Sequence, residues 1–156
     1  MENKKEIIRM IDIDLNNTAN FTQQYIGCLV LTSEDKILLQ KRGDDWNHFP
    51  GLLSAFGGRI EKNETPMQTL ISELQEELGA KVIENEVVFL GAVTEAATQY
   101  TELVYEYFWH DKDNSITGCY EGEAACYDNV ESILHCPNLM DDVRWMLAQC
   151  KHRCLL

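Results

Sequence analysis

Positive charge is scarce in this chain: 13 lysines and arginines stand against 26 aspartates and glutamates, for a formal charge of −13. That balance argues against sequence-independent binding to DNA, RNA or an anionic membrane, all of which need a field of the opposite sign. No apolar run approaches the roughly 18 residues of a membrane span. The six cysteines, at 28, 119, 126, 136, 150 and 154, contain no C-x-x-C pair, and no apolar stretch follows Lys4, Lys5 and Arg9 as it would in a signal peptide. Reduced thiols and a cytoplasmic location are the expectation. Internal repeats, low-complexity linkers and a D-x-D-x-D-G calcium loop are all missing. What remains, at 156 residues, is a chain of one-domain size whose core buries about two-thirds of the unfolded surface.

The most informative stretch runs from Gly57 to Ala80, GGRIEKNETPMQTLISELQEELGA. It predicts a glycine turn leading into a helix with its own start and stop signals. Thr65 is the expected N-cap, Pro66 occupies the first helical position where its missing N–H is harmless, and Gln68 completes a capping box. Gly79 supplies a left-handed stop. Met67, Leu70, Ile71, Leu74 and Leu78 recur at helical spacing and should face a core. Glu73, Glu76 and Glu77 share a separate arc of roughly 100°, with no bases beside them. Repulsion among such carboxylates costs a few tenths of a kcal/mol per pair on an isolated helix, and a hard divalent cation relieves it. A merely solvated acidic face is the blander reading of the same residues.

Around this segment, residues 1–22 form an N-terminal arm or strand and residues 23–156 a single domain. Gln24–Thr32 and ILLQKR read as an antiparallel hairpin, and Gly43–Leu53 as a loop. Residues 87–93 and 102–110 read as further strands. The latter has Leu103, Tyr105, Tyr107 and Trp109 on one face and Val104, Phe108 and His110 on the other, which suggests a sheet covered on both sides. Asn138 is the expected cap of a final helix with the stripe Leu139, Val143, Met146, Leu147, Cys150 and Cys154.

Gly58, Glu64, Ser72-Glu73-Leu74, Glu76-Glu77 and Leu78-Gly79 together resemble the Nudix box, G-x5-E-x7-R-E-U-x-E-E-x-G-U, where U is bulky and apolar. Two positions depart: Ser72 replaces the box arginine, and Ala80 is small. The resemblance implies an α/β fold, a Nudix-like α/β/α sandwich around a mixed sheet. It also implies Mg²⁺- or Mn²⁺-dependent hydrolysis of a pyrophosphate bond in a nucleoside diphosphate linked to another moiety, such as a nucleoside triphosphate, a nucleotide sugar or ADP-ribose. Glu73, Glu76 and Glu77 would be catalytic and metal-holding, the Gly57 carbonyl a further ligand, and Gly58, Glu64 and Ser72 supporting residues.

An acidic residue some forty positions beyond the box often adds a ligand or base in such enzymes. Glu121 and Glu123 are the candidates, with Glu123 preferred for its place at the start of a strand. Arg42, Trp46 and Phe49 are candidate substrate contacts, and Arg42, Arg59 or Lys62 could restore the charge absent at Ser72. The partner implied is a small nucleotide, with no nucleic-acid polymer and no membrane; a homodimer is compatible with the sequence. Ser72 also motivates an alternative, a catalytically weakened domain that binds nucleotide or a protein partner without turnover.

Overall fold

The computed structural model describes residues 8–10 and 18–156. The fold is organised about β2 (Gln23–Leu31), whose run of apolar and β-branched residues lies buried over its last six positions. On one side β2 pairs in parallel with β7 (Glu102–His110), in a continuous register from Gln23–Glu102 to Leu31–His110. On the other it pairs antiparallel with β5 (Phe56–Arg59), and its end pairs with β3 (Ile37–Lys41). β3 carries β4 (Leu53–Ser54) and β8 (Glu123–Tyr127), while β6 (Val88–Glu95) lines the far side of β7. β1 (Ile8–Met10) pairs with β6. The other N-terminal apolar positions, Ile7, Ile11, Ile13 and Leu15, lie outside the described residues.

A parallel pair needs a crossover, and here it contains α1 (Pro66–Leu78). Its ends follow the sequence: Thr65 and Gln68 form the reciprocal capping box, Pro66 is the first helical residue, and Gly79 is left-handed at φ 63°. Leu70, Leu74 and Leu78 are fully buried against Ile26, Cys28, Leu103 and Trp109. The opposite face of the sheet, including Leu29 and Phe108, packs on Val143, Met146, Leu147 and Cys150 of α3 (Asp141–His152). A short α2 (Val130–Leu134), capped by Asn129, precedes it. The result is the mixed sheet between helices that the box resemblance implies. Among the described residues, no helix is long and apolar enough to cross a membrane.

Two expectations for the C-terminal segment fail. Asn138 does not cap α3, which starts after Met140 with no side-chain cap. Instead, the Asn138 amide donates to the Gly51 carbonyl at 3.2 Å and its own carbonyl accepts from the Leu53 N–H at 2.8 Å, so local pairing beside β4 claims the residue. Cys154 leaves the apolar stripe because α3 ends at His152, and it is exposed at φ 56°.

The burial of α1 sets a direct expectation. Leu74→Ala should lower the unfolding free energy by about 2–5 kcal/mol, the range for a large aliphatic side chain removed from a close-packed core. Urea denaturation reads this, and a loss below about 1 kcal/mol would contradict the packing described.

Candidate active site

The helix α1 and the strand β5 meet through the consecutive glycines of β5. A side chain on Gly58 would collide with the Glu73 carboxyl, its β-carbon falling 2.5 Å from Cδ. One on Gly57 would strike the Ile26 carbonyl oxygen at 2.0 Å. The bare Gly58 lets the helix approach, the bare Gly57 lets β5 lie close on β2, and the Gly57 N–H donates to Glu77 Oε2 at 3.1 Å. Glu73 and Glu77, one helical turn apart, thus both lie on the glycine strand, while Glu76 stays exposed. Glu64 belongs to the turn before α1, where its carboxylate accepts from the Glu61 N–H at 3.2 Å, and its charge is felt at Glu73.

The loop after residue 111 brings in another acid. Its backbone docks on the end of α1, with Thr117 N–H donating to the Leu78 carbonyl and Tyr120 N–H to the Glu77 carbonyl. Gln40 holds the Glu121 carbonyl at 2.9 Å. Glu121 and Glu77 therefore line the same cleft of about 390 Å³, together with Gly57, Gly58, Arg42 and Trp46. Glu123 lies outside that cleft, beside Lys41, Asp44 and Gly122. The structure thus brings Glu121, and not the preferred Glu123, into the cleft. The left-handed Gly122, at φ 67°, separates the two glutamates and turns β8 away, which strand-start reasoning does not anticipate.

Burial and crowding leave these carboxyls reluctant to ionise. Glu77 is pushed up to about 9, first by burial and then by the charges of Glu121 and Glu73. Glu73 is pushed up to about 7, by burial and then by Glu76 and Glu121. The donor set is all oxygen, as hard divalent cations require, although among the described residues no three His, Cys, Asp or Glu side chains already converge on one point.

Of the three candidate cations, Arg42 faces these acids. It is half-buried within the fields of Glu121 and Glu77. Its Nε donates to the His48 and Phe49 carbonyls, and its guanidinium lies 4.6 Å from the centre of the Trp46 ring. Arg59 pairs with Glu61 at 3.4 Å, and Arg59 and Lys62 line a separate surface recess. Ser72 is half-buried on α1 and brings no charge.

A second, inner cavity of about 100 Å³ adjoins the cleft, with Tyr25, Arg42, His48 and Ala55 forming walls of both. Phe49 lines it, and His48 stacks with Tyr25 at 6.2 Å between ring centres and meets Phe49 edge-on at 4.5 Å. Sequence reasoning passed over two acids near this cavity. Asp142 stands in the first turn of the final helix, with no local signal to mark it. Glu106 was left out of the alternation along β7, although a single charge between Val104 and Phe108 on an inward face was a legible signal.

Comparison with known proteins adds three findings. A family model described as NUDIX domain matches residues 22–149. Proteins named nucleoside triphosphatase NudI, from Escherichia coli O139:H28 and Shigella sonnei among others, are 34% identical over 65 residues, covering 42% of this chain and 46% of theirs. The chain thus matches less than half the length of these relatives. Among solved structures, a MutT protein from Methanosarcina mazei Go1 superposes with a TM-score of 0.70 at 17% identity, over 84% of this chain and 94% of that one. A bifunctional NMN adenylyltransferase/ADP ribose pyrophosphatase from Francisella tularensis, complexed with AMP and a Mn ion, gives 0.65 at 16% identity, over 90% of this chain and 44% of that one. At these identities the structures show a shared fold.

The raised carboxyls have a measurable sign. Both folded-state values lie above the ordinary 4.5, so between that value and about 9 the folded protein binds more protons than the unfolded chain, and stability falls as pH rises. In metal-free protein, Glu77→Gln should therefore flatten the fall in Tm between about pH 5 and pH 9. An unchanged slope in the variant would show that Glu77 is not the strained group.

Proposed function

The chain belongs to the Nudix family, and we propose that it is a divalent-cation-dependent hydrolase that cleaves a pyrophosphate bond in a nucleoside diphosphate linked to another moiety. The observation that carries this reading is the placement of Glu73 and Glu77 against the glycines of β5, with Glu77 lining a cleft that also holds Glu121. Crowded, partly buried carboxyls with raised pKa values are the arrangement a cation stabilises. Glu73, Glu76, Glu77 and the Gly57 carbonyl would hold Mg²⁺ or Mn²⁺, with Glu121 in place of Glu123 as the acid from the later loop. When bound, such a cation neutralises pyrophosphate oxygens and lowers the pKa of an attacking water.

The protein's own residues divide the remaining work. Glu73, held against Gly58 beside the proposed cation, would orient or deprotonate the attacking water. Glu77, fixed by the Gly57 N–H, keeps the helix acids in register with the glycine strand. Arg42 supplies positive charge at the boundary of cleft and cavity, where phosphate oxygens would lie, with its guanidinium over the Trp46 ring. Glu64 supports through its field on Glu73. The partial likeness to proteins named nucleoside triphosphatase favours a nucleoside triphosphate over a nucleotide sugar or ADP-ribose. Six free cysteines fit a reducing cytoplasm.

Ser72 supports a second reading, in which the domain binds nucleotide without turnover, because no positive charge on α1 replaces the box arginine. A panel of nucleoside triphosphates, nucleotide sugars and ADP-ribose, assayed with Mg²⁺ and Mn²⁺, separates the two readings. Glu76→Gln and Glu77→Gln should each lower turnover by at least about a hundredfold, since even outer-sphere partners of a metal change affinity or activity by about 10–100-fold. Unchanged activity in both variants would reject the ligand assignment. Ser72→Arg should preserve or raise activity; a folded but inactive Ser72→Arg protein would show a site rebuilt around serine.

A further inference from the structure

The first four residues of β3, Ile37, Leu38, Leu39 and Gln40, are all buried, and only the last of them is polar. Ile37 and Leu39 pack in the cluster of the α3 face and Leu38 in that of the α1 face. The strand alternation therefore puts Gln40 on the α1 face, in the row where another leucine would extend the core. Gln40 is 2% exposed, and β3 is paired on both sides of it, with Ser54 of β4 and Ala124 of β8 opposite. An amide set so firmly out of water needs a partner.

That partner is the backbone of the loop acid. Gln40 Nε2 donates to the Glu121 carbonyl at 2.9 Å, a bond open only to the nitrogen end of the amide, since a carbonyl can only accept. The chain closes onto β3 at this point because the next residue is Gly122: a β-carbon there would fall 2.7 Å from the Lys41 carbonyl oxygen and 3.1 Å from Gln40 Cγ. One residue earlier, the Tyr120 N–H donates to the Glu77 carbonyl at 2.8 Å. Residue 121 is thus held between β3 and the last turn of α1. Gln40 lines the cleft together with Glu77 and Glu121. At the Glu77 carboxyl, burial and the charges of Glu121 and Glu73 oppose ionisation, while the Gly57 N–H and the Gln40 amide act in the opposite sense.

We propose that Gln40 is a positioning residue, which fixes Glu121 in the cleft beside Glu77 so that a loop acid and a helix acid can serve one cation. This rests on the cation-holding role of the cleft. The amide acts through the Glu121 backbone, and its effect on the site therefore depends on the carboxylate that residue 121 carries. A loop already fixed to a rigid strand does not have to be ordered when the cation arrives, and the affinity gains by that difference. Without the donor, the Glu121 carbonyl loses its partner and the loop is free to carry the acid out of the cleft.

Gln40→Met keeps the length of the side chain but has no donor, and Gln40→Glu keeps its shape but turns a carboxylate on the carbonyl. Hydrogen exchange of the Tyr120 and Glu121 amides in metal-free protein reads the loop, and calorimetry with Mn²⁺, without substrate, reads the site. In both variants the loop amides should exchange at least about tenfold faster while those of α1 keep their rates. Mn²⁺ affinity should fall by about 10–100-fold. In a Glu121→Ala background, Gln40→Met should change it by less than about threefold, because the residue it positions no longer bears a carboxylate. Three results would overturn the proposal and leave the metal site standing: Mn²⁺ affinity or loop exchange unchanged in both variants, faster exchange spread equally over α1, or an undiminished loss of affinity in the Glu121→Ala background. A wild type that binds no Mn²⁺ would reject the metal site itself, and with it the role assigned to Gln40.

Discussion

A helix carrying three glutamates can lie against a strand only if the strand offers no side chains in return. In this protein the close approach of α1 to β5 depends on Gly58, where a β-carbon would meet the Glu73 carboxyl, while Gly57 lets β5 lie close on the Ile26 carbonyl of β2. The approach puts a backbone N–H on Glu77 and makes that acid part of the wall of a cleft. The leucines on the neighbouring stripe of the helix supply the apolar burial that offsets this crowding, with Leu70, Leu74 and Leu78 all fully enclosed. Fold and charge are thus held in one joint: the same contact that closes the core on one side of α1 raises the free energy of its carboxylates on the other.

Acidity recurs across the sheet. Glu106 and Asp142 lie on the α3 face, and Arg42 senses Glu77, Glu121 and Asp142 at once. This arginine is the positive group common to both cavities, and its backbone and ring contacts leave it little freedom. A chain with twice as many acids as bases therefore places one cation where negative charge converges from two sides. An anionic substrate can enter such a protein only where that cation, or a metal, reverses the local field.

Much of this was legible in the sequence. The capping box at Thr65 and Gln68, the left-handed Gly79 and the leucine stripe are local signals, and local chemistry was enough to form them. The acids of the box were legible as a group, but their distinct environments were not: spacing alone cannot tell that Glu76 stays in solvent while Glu77 is buried against a glycine N–H. Which of Glu121 and Glu123 reaches the cleft depends on the left-handed glycine between them, which alters direction without altering strand propensity. Asn138 misled because its amide answers to Gly51, far away in the chain. Glu106 had a signal in the broken alternation of β7, but its meaning depended on Gly27, a strand away in space and about 80 residues away in sequence.

The parallel pairing of β2 with β7 also bears on how the molecule is made. β2 leaves the ribosome long before its central partner, and at roughly 5–20 residues per second the wait lasts several seconds. During that interval β3 and β5 can hydrogen-bond to it, but the apolar edge that β7 will cover stays open. Contacts of such long range close late and slowly. The nascent chain therefore passes through a stage in which half the sheet waits with a bare edge, and the chain's strong negative charge then works to keep neighbouring chains from pairing with it.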